Sequence, residues 1–204
     1  TGPARTALGW MVGLPMALLT SASLIESPKD EILSTVSILK ETRNYLSLET
    51  PVTGNPAKRL AGQFVDRLVF LFASEKMLPA ALRWKSQINL NAKAWAQVEC
   101  ISETRNVTVN GLIFPVDKLG QSMSIFFHCS HDHSKDDKSL ESARQFFMVE
   151  GLGTDIYQPA QKSLMCEILA AIQFGDYVSY FLAIAYGVNP LLTPGVEEIH
   201  SMIY

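Results

Sequence analysis

Residues 67–73 have the sequence RLVFLFA, and this short apolar run decides the fold class of the chain. It is rich in residues that favour β-strands and does not alternate between polar and apolar positions. Such runs are typical of strands that are buried on both faces of a parallel sheet. Three further runs, at residues 98–101, 123–128 and 146–150, are interpreted as strands of the same sheet.

Helical patterns lie between these predicted strands. Short helices are expected at residues 57–65 and 138–145, and longer ones at 78–95 and 159–186, with a last short helix opening at Pro194. Strands that alternate with helices predict an α/β fold, a three-layer domain whose mostly parallel sheet is flanked by helices. In such sheets, ligands bind beyond the carboxyl ends of the strands, at a topological switch point.

The first quarter of the chain has a different, purely helical pattern. Residues 7–25 are uncharged and apolar nearly all round, and residues 29–48 show helical spacing of apolar side chains. Pro15 and several hydroxyl residues argue against a membrane span in the first segment, so we expect a buried helix there. We therefore predict a helical arm over residues 1–50 and the α/β domain over residues 51–204.

Composition and charge restrict the classes of function. Hydrophobic residues make up 48% of the chain and charged residues 18%, which is enough apolar material for a sizeable core. The net charge is -3 without clustered Lys and Arg, which argues against nucleic-acid binding. The three cysteines, Cys100, Cys129 and Cys166, form no disulfide pattern, so a reducing, cytoplasmic location is expected.

One polar cluster follows the third predicted strand. His128, His131 and His133 lie close together with Cys129 between the first two, and imidazole and thiolate groups bind zinc and similar metals. Their spacing matches no metal signature and no second cluster supplies further ligands, so a solvated loop is the alternative that we favour. Nucleotide-binding glycine motifs are absent from the sequence, and we predict neither a metal nor a cofactor.

Residues 83–93, RWKSQINLNAK, form the other candidate site. On a helix, Lys85, Asn89 and Lys93 share one face, and this face could hold a phosphate or sugar hydroxyls. A solvated surface helix is the simpler interpretation of the pattern alone.

The same residues resemble the RWKxQINENAK segment of the bifunctional phosphoglucose/phosphomannose isomerases of archaea and bacteria. Four further segments resemble the family in the same order along the chain: residues 3–9 (PARTALG), 55–61 (NPAKRLA), 175–183 (GDYVSYFLA) and 187–190 (GVNP). The resemblance implies the C-terminal sugar-phosphate isomerase (SIS) domain of a two-domain, usually dimeric protein. It also implies a phosphosugar ligand, and the Ser/Thr-rich phosphate-binding loop of the family's first domain is not visible here.

The departures from the family pattern fall on its catalytic positions. The family's glutamate base is replaced by Leu90, and the histidine that helps to open the sugar ring is replaced by Asn106. Arg5 matches the family's oxyanion-stabilising arginine. By resemblance, the expected substrate-binding residues are Arg5, Arg83, Lys85, Asn89 and Asn106.

Two functional hypotheses follow from these departures. Aldose–ketose isomerisation requires a base that moves a proton between C1 and C2, and leucine cannot accept a proton. Loss of a general base typically costs about 10²–10⁴-fold in rate. We therefore favour a domain that binds a phosphosugar or a partner with weak or no isomerase activity. The alternative is an active isomerase whose base is Glu99, Glu103 or a residue of an N-terminal domain outside this chain.

Overall fold

The computed structural model describes residues 4–159 and 163–203. Within these ranges, fourteen elements follow in chain order, with short 3₁₀ turns at Ala4–Thr6 and Thr108–Gly111. They are α1 Leu8–Ser21, α2 Lys29–Leu46, α3 Pro56–Phe64, β1 Leu68–Ala73, α4 Leu78–Gln87, a π-helical turn Ile88–Ala92, β2 Ala96–Cys100, α5 Ile101–Thr104, α6 Val116–Leu119, β3 Ser122–Phe127, α7 Ser134–Val149, β4 Gly153–Tyr157, α8 Leu164–Ala185 and α9 Pro194–Ile203.

The sheet has four parallel strands in the order β2-β1-β3-β4. In the central strand, Val69 is opposite Ala96 of β2 and Met123 of β3. The chain moves from β1 to β2 on one side and returns to β3 on the other. The carboxyl ends of β1 and β3 therefore flank the topological switch point. The predicted α/β fold with a parallel sheet is confirmed.

Helices cover both faces of this sheet, and each face has its own apolar cluster. On one face, α3, α4 and α8 pack around Trp84, which is fully buried against Phe127. On the other face, α5 and α7 enclose Phe72, Phe126 and Phe147. Because both faces of β1 and β3 are largely removed from water, most of their side chains are apolar.

The prediction of the fourth strand was wrong. Residues 146–149 form the end of α7 and Glu150 is its C-cap; Phe147 is buried and Phe146 and Met148 are exposed, as on one face of a helix. The fourth strand is Gly153–Tyr157, with the polar sequence GTDIY. As an edge strand it is only partly buried, so it lacks the apolar run that identifies β1 and β3.

Two predicted helices have different ends. The helix predicted over residues 78–95 stops at Gln87, continues as the π-helical turn and ends at Lys93, whose φ of 55° is left-handed. The helix predicted over residues 159–186 is observed from Leu164 to Ala185. Part of its predicted start, residues 160–162, lies outside the described residues.

The expectation of a buried first helix was also wrong. No residue of α1 is buried, and Trp10 is 72% exposed. The inner side of α1 faces α2 and α8 across an apolar cavity of about 420 Å³, and its outer side faces solvent. Of the helices that the structure describes, α8 is the one long and apolar enough to span a membrane, and half of its most apolar window is buried in the core.

Candidate functional site

Arg83 on α4 joins three parts of the chain. Its Nε and Nη2 atoms donate to the two carboxylate oxygens of Asp176 on α8, at 3.0 and 2.9 Å. Nη2 also donates to the backbone oxygen of Arg5 at 2.9 Å. Bidentate Arg–carboxylate pairs fix orientation as well as contributing energy. Arg83, which was predicted to bind substrate, therefore has its guanidinium engaged by the protein itself.

Arg5 lies at this junction and contacts the segment that follows α8. Its Nη2 atom donates to the backbone oxygens of Pro190 at 2.8 Å and of Leu191 at 3.3 Å. The segment turns away from the helix at Gly187, whose φ of +65° is the left-handed conformation that ends many helices. The family-like segments at residues 3–9 and 187–190 thus meet in space.

The π-helical turn places Leu90 beside the same junction. The ammonium group of Lys93 donates to the backbone oxygens of Leu90 at 3.0 Å, Asn91 at 3.1 Å and Asn189 at 2.6 Å. Desolvation, and then the nearby charge of Arg5, lowers the pKa of Lys93. We call the region of Arg5, Arg83, Leu90, Lys93 and Asp176 the Leu90 corner.

The asparagines of the π-helical turn stabilise the fold. Asn89 accepts a hydrogen bond from the backbone nitrogen of Ala96 at 2.9 Å, which fixes the start of β2. Asn91 donates to the hydroxyl of Ser179 on α8 at 3.0 Å. Lys85, also predicted to bind substrate, is partly buried on α4.

Asn106 lies at the other end of the sheet from Leu90. The whole of β2 separates the two positions, and its five residues span about 16 Å at ~3.3 Å per residue. Asn106 is exposed and donates to the backbone oxygen of Ser102 at 2.8 Å. Within one chain, the positions of the family's glutamate and histidine are therefore not neighbours.

The two acids considered as replacement bases share the end of the sheet where Asn106 lies. Glu99, near the end of β2, accepts a hydrogen bond from the hydroxyl of Thr108. Glu103 is exposed on α5. Neither carboxylate belongs to the Leu90 corner of its own chain.

A second polar cluster occupies the carboxyl ends of β1 and β3. Lys76 donates to the backbone oxygen of His131, and its ammonium group lies 3.9 Å from the carboxylate of Asp132. Burial raises the pKa of Asp132, while the neighbouring Ser74 and Lys76 oppose that rise.

Glu167 is the buried centre of this cluster. It is fully buried on α8 and accepts hydrogen bonds from the backbone nitrogen and hydroxyl of Ser130 and from the thiol of Cys129, the last at 3.2 Å. Desolvation, followed by the bond to Glu167, raises the pKa of Cys129 to about 12. The thiol is therefore a protonated donor at neutral pH. Sequence reasoning missed Glu167, although a lone acid in the first turn of an apolar helix is a usable signal.

The three histidines after β3 do not converge on one point. The Nε2 atom of His128 lies 3.4 Å from the carboxylate of Asp137 on α7. The residue His133 precedes α7 as its N-cap. Among residues 4–159 and 163–203, no group of three or more His, Cys, Asp or Glu side chains is placed to hold a metal ion.

Comparisons with known proteins identify relatives of nearly the whole chain. The model of a family described as the bacterial phospho-glucose isomerase C-terminal SIS domain matches residues 53–203. A bifunctional phosphoglucose/phosphomannose isomerase of Caldicellulosiruptor bescii is 30% identical over 98% of this chain and 59% of its own length. A protein of the same description from Aquifex aeolicus is 23% identical over 96% of this chain and 57% of its own length. The chain thus spans less than two thirds of these curated relatives.

A solved structure has the same fold. A glucose-6-phosphate isomerase-like protein from Thermus thermophilus superposes with a TM-score of 0.67 at 19% identity, covering 82% of this chain and 56% of that one. At this identity, the likeness supports the fold alone.

Proposed function

The chain belongs to the family of the bacterial phosphoglucose isomerase C-terminal SIS domain, and we propose that it binds a phosphosugar with weak or no isomerase activity. One observation carries the proposal: Leu90 stands at the position where the related isomerases are expected to hold the base. Its neighbours Arg5 and Lys93 are cationic and suit an anionic sugar derivative, but neither replaces a carboxylate base at neutral pH.

The contacts of the Leu90 corner support a structural rather than a catalytic arrangement. The guanidinium of Arg83 is held by Asp176, and that of Arg5 is directed at backbone oxygens. Electrostatic stabilisation of an enediolate needs donors aimed at the developing charge. Without a base to create that charge, such donors add little to the rate.

The alternative is an active isomerase, and it is supported by the greater length of the related isomerases. The chain covers 59% of the Caldicellulosiruptor bescii protein, so a further domain could supply a base and the phosphate-binding loop. Glu99 or Glu103 could serve only from a second copy, because both lie at the far end of β2 from Leu90.

The test is a coupled assay with glucose-6-phosphate and mannose-6-phosphate, with a thermal-shift titration of both. It is run on this chain and on the natural full-length protein. We expect a ligand-dependent rise in Tm and turnover at least about 10²-fold below an active relative assayed in parallel. Turnover of either sugar at the rate of the relative would overturn the proposal.

Substitution at Leu90 sharpens this assay. Leu90→Glu together with Asn106→His should increase turnover relative to the natural sequence, because a carboxylate base and an imidazole return to their expected positions. The matched control is Leu90→Gln with Asn106→His, in which the side chain at position 90 has a similar size but no carboxylate. Equal turnover of the two double variants would contradict a role for position 90 in proton transfer.

We further propose that the protein is a cytoplasmic homodimer. The separation of Leu90 from Asn106 supports a second copy, since symmetry could bring Asn106 of one chain to the Leu90 corner of the other. The free cysteines Cys100, Cys129 and Cys166 support a reducing compartment. Light scattering coupled to size exclusion measures the mass, and a monomer at micromolar concentration would contradict the dimer.

A further inference from the structure

A cationic groove lies between α7 and the segment that follows β2. Arg105, Lys135 and Lys138 line it, and its volume is about 580 Å³. Among the residues that the structure describes, no carboxylate lines this groove. The feature is local, because the chain as a whole carries a net charge of -3.

One wall of the groove is formed by lysine and serine side chains of α7. Lys135 lies three and four residues before Lys138 and Ser139, and Ser142 lies four and three residues after them, which places all four on one face of α7. Arg105 forms the opposite wall, and its Nη1 atom donates to the hydroxyl of Ser139 at 3.1 Å. Guanidinium, ammonium and hydroxyl groups together are the donors that phosphate oxygens require.

Two of the three acidic residues of α7, Asp137 and Glu141, have other partners, and Asp136 does not line the groove. Asp137 lies 3.4 Å from the imidazole of His128, at the carboxyl end of β3. Glu141 is bound by Arg144 at 2.7 Å. Among residues 4–159 and 163–203, neither Lys135 nor Lys138 forms an ion pair. Their charges are therefore available to a ligand.

We propose that this groove binds the phosphate group of a small phosphorylated metabolite, through Arg105, Lys135 and Lys138 with the hydroxyl of Ser142. Ser139 positions Arg105 instead, because its own hydroxyl donates to the backbone oxygen of Lys135 at 2.8 Å. Within one chain, the site is separate from the Leu90 corner, because it lies at the opposite end of β2. Its existence does not depend on the isomerase-related proposal. The cations supply most of the affinity, and the Ser142 hydroxyl helps to orient the phosphate oxygens.

The test is a heteronuclear NMR titration of this chain with inorganic phosphate, glucose-6-phosphate and glucose at constant ionic strength. Inorganic phosphate and glucose-6-phosphate should both shift the amide signals of residues 105 and 135–142, whereas glucose should not. A Lys135→Gln, Lys138→Gln double variant should bind both probes at least about tenfold more weakly, because it loses two charged donors. Lys40→Gln, an exposed substitution on α2, is the matched control and should bind as the natural sequence does.

Further variants separate this site from the Leu90 corner. Arg105→Gln should also weaken binding at the groove, and Arg5→Gln should leave it unchanged. The proposal is overturned if the double variant binds as tightly as the control, or if sodium chloride at equal concentration shifts the same signals. Binding of inorganic phosphate without glucose-6-phosphate would also overturn it, because the groove would then hold a free ion and no metabolite.

Discussion

The helices α1 and α8 have similarly apolar sequences but differ in how much of each is buried. Helix α1 has no charged residue, and α8 has only Glu167 and Asp176. Yet α8 is the central helix of its layer, whereas no residue of α1 is buried. The difference shows that apolar composition measures a tendency to leave water, while burial also requires a complementary surface within the same chain.

The complementary surface of α8 is a tight seam with α4. Trp84 of α4 lies fully buried against Gly175, and its indole nitrogen donates to the backbone oxygen of Ala171 at 2.7 Å. A side chain on Gly175 would occupy the space of the indole ring. Helix α1 has no such seam, and an apolar cavity separates it from α2 and α8.

A large effect is expected from filling the space at that seam. A Cβ atom at Gly175 would lie 2.2 Å from two atoms of the Trp84 ring, so Gly175→Ala forces the indole out of its buried position. Overpacking costs ~1–3 kcal/mol and occasionally more, and we expect the upper end of that range. Urea denaturation followed by tryptophan fluorescence measures the free energy of unfolding.

Gly62→Ala on α3 is the matched control for this substitution. A Cβ atom there meets no neighbour within 4 Å, so alanine should stabilise the helix by ~0.5–1 kcal/mol. Similar losses for both variants would mean that the seam is looser than the geometry of Trp84 indicates.

The same contrast explains which parts of the fold could be predicted from sequence. β1 and β3 are largely buried on both faces, so β1 is apolar and β3 carries only Ser122 and Ser124 among apolar side chains, and the runs stand out. The edge strand β4 carries polar residues and was replaced in the prediction by the end of α7. The exposure of α1 could not be predicted, because it depends on what the rest of the chain leaves uncovered.

The sequence indicates candidate site residues but not their contacts. Ordered motifs located Leu90 and Asn106, and the strand predicted between them at residues 98–101 implies that they lie at its opposite ends, but motif order contains no information about the contacts of either side chain. The pair of Arg83 with Asp176 joins residues 93 positions apart, and neither local spacing nor composition indicates it. Glu167 acquires its partners, Ser130 and Cys129, only through folding.

An intermediate effect is expected at the polar part of the α4–α8 seam. Arg83→Ala removes the bidentate bond to Asp176, and hydrogen bonds to charged groups are worth about 1.5–3 kcal/mol each when buried. Because the pair is partly exposed, we expect a loss of about 1–2 kcal/mol. A double-mutant cycle with Asp176→Ala isolates the coupling energy by urea denaturation.

The same double-mutant cycle on Arg144 and Glu141 provides the comparison. Arg144 contacts Glu141 three residues earlier on the surface of α7, where such pairs contribute only ~0.3–0.5 kcal/mol. A coupling between Arg83 and Asp176 no larger than this value would mean that their bond does not hold α8 to α4.

The smallest effect is expected on the outer face of α1. Leu18 is 70% exposed, whereas Leu182 of α8 is 0% exposed. Leu18→Ala should change the free energy of unfolding by less than ~0.5 kcal/mol, since it removes little buried surface. Leu182→Ala should cost ~2–5 kcal/mol, because it leaves a cavity in the core.

The two leucine variants test the comparison of α1 with α8 most directly, because the chemical change is identical and only the surroundings differ. If Leu18→Ala lowers the free energy of unfolding by more than ~1 kcal/mol, the outer face of α1 is covered in solution. Repeating the measurement at several protein concentrations then distinguishes the causes. A loss that grows with concentration indicates coverage by a second copy, because association stabilises the folded state by mass action.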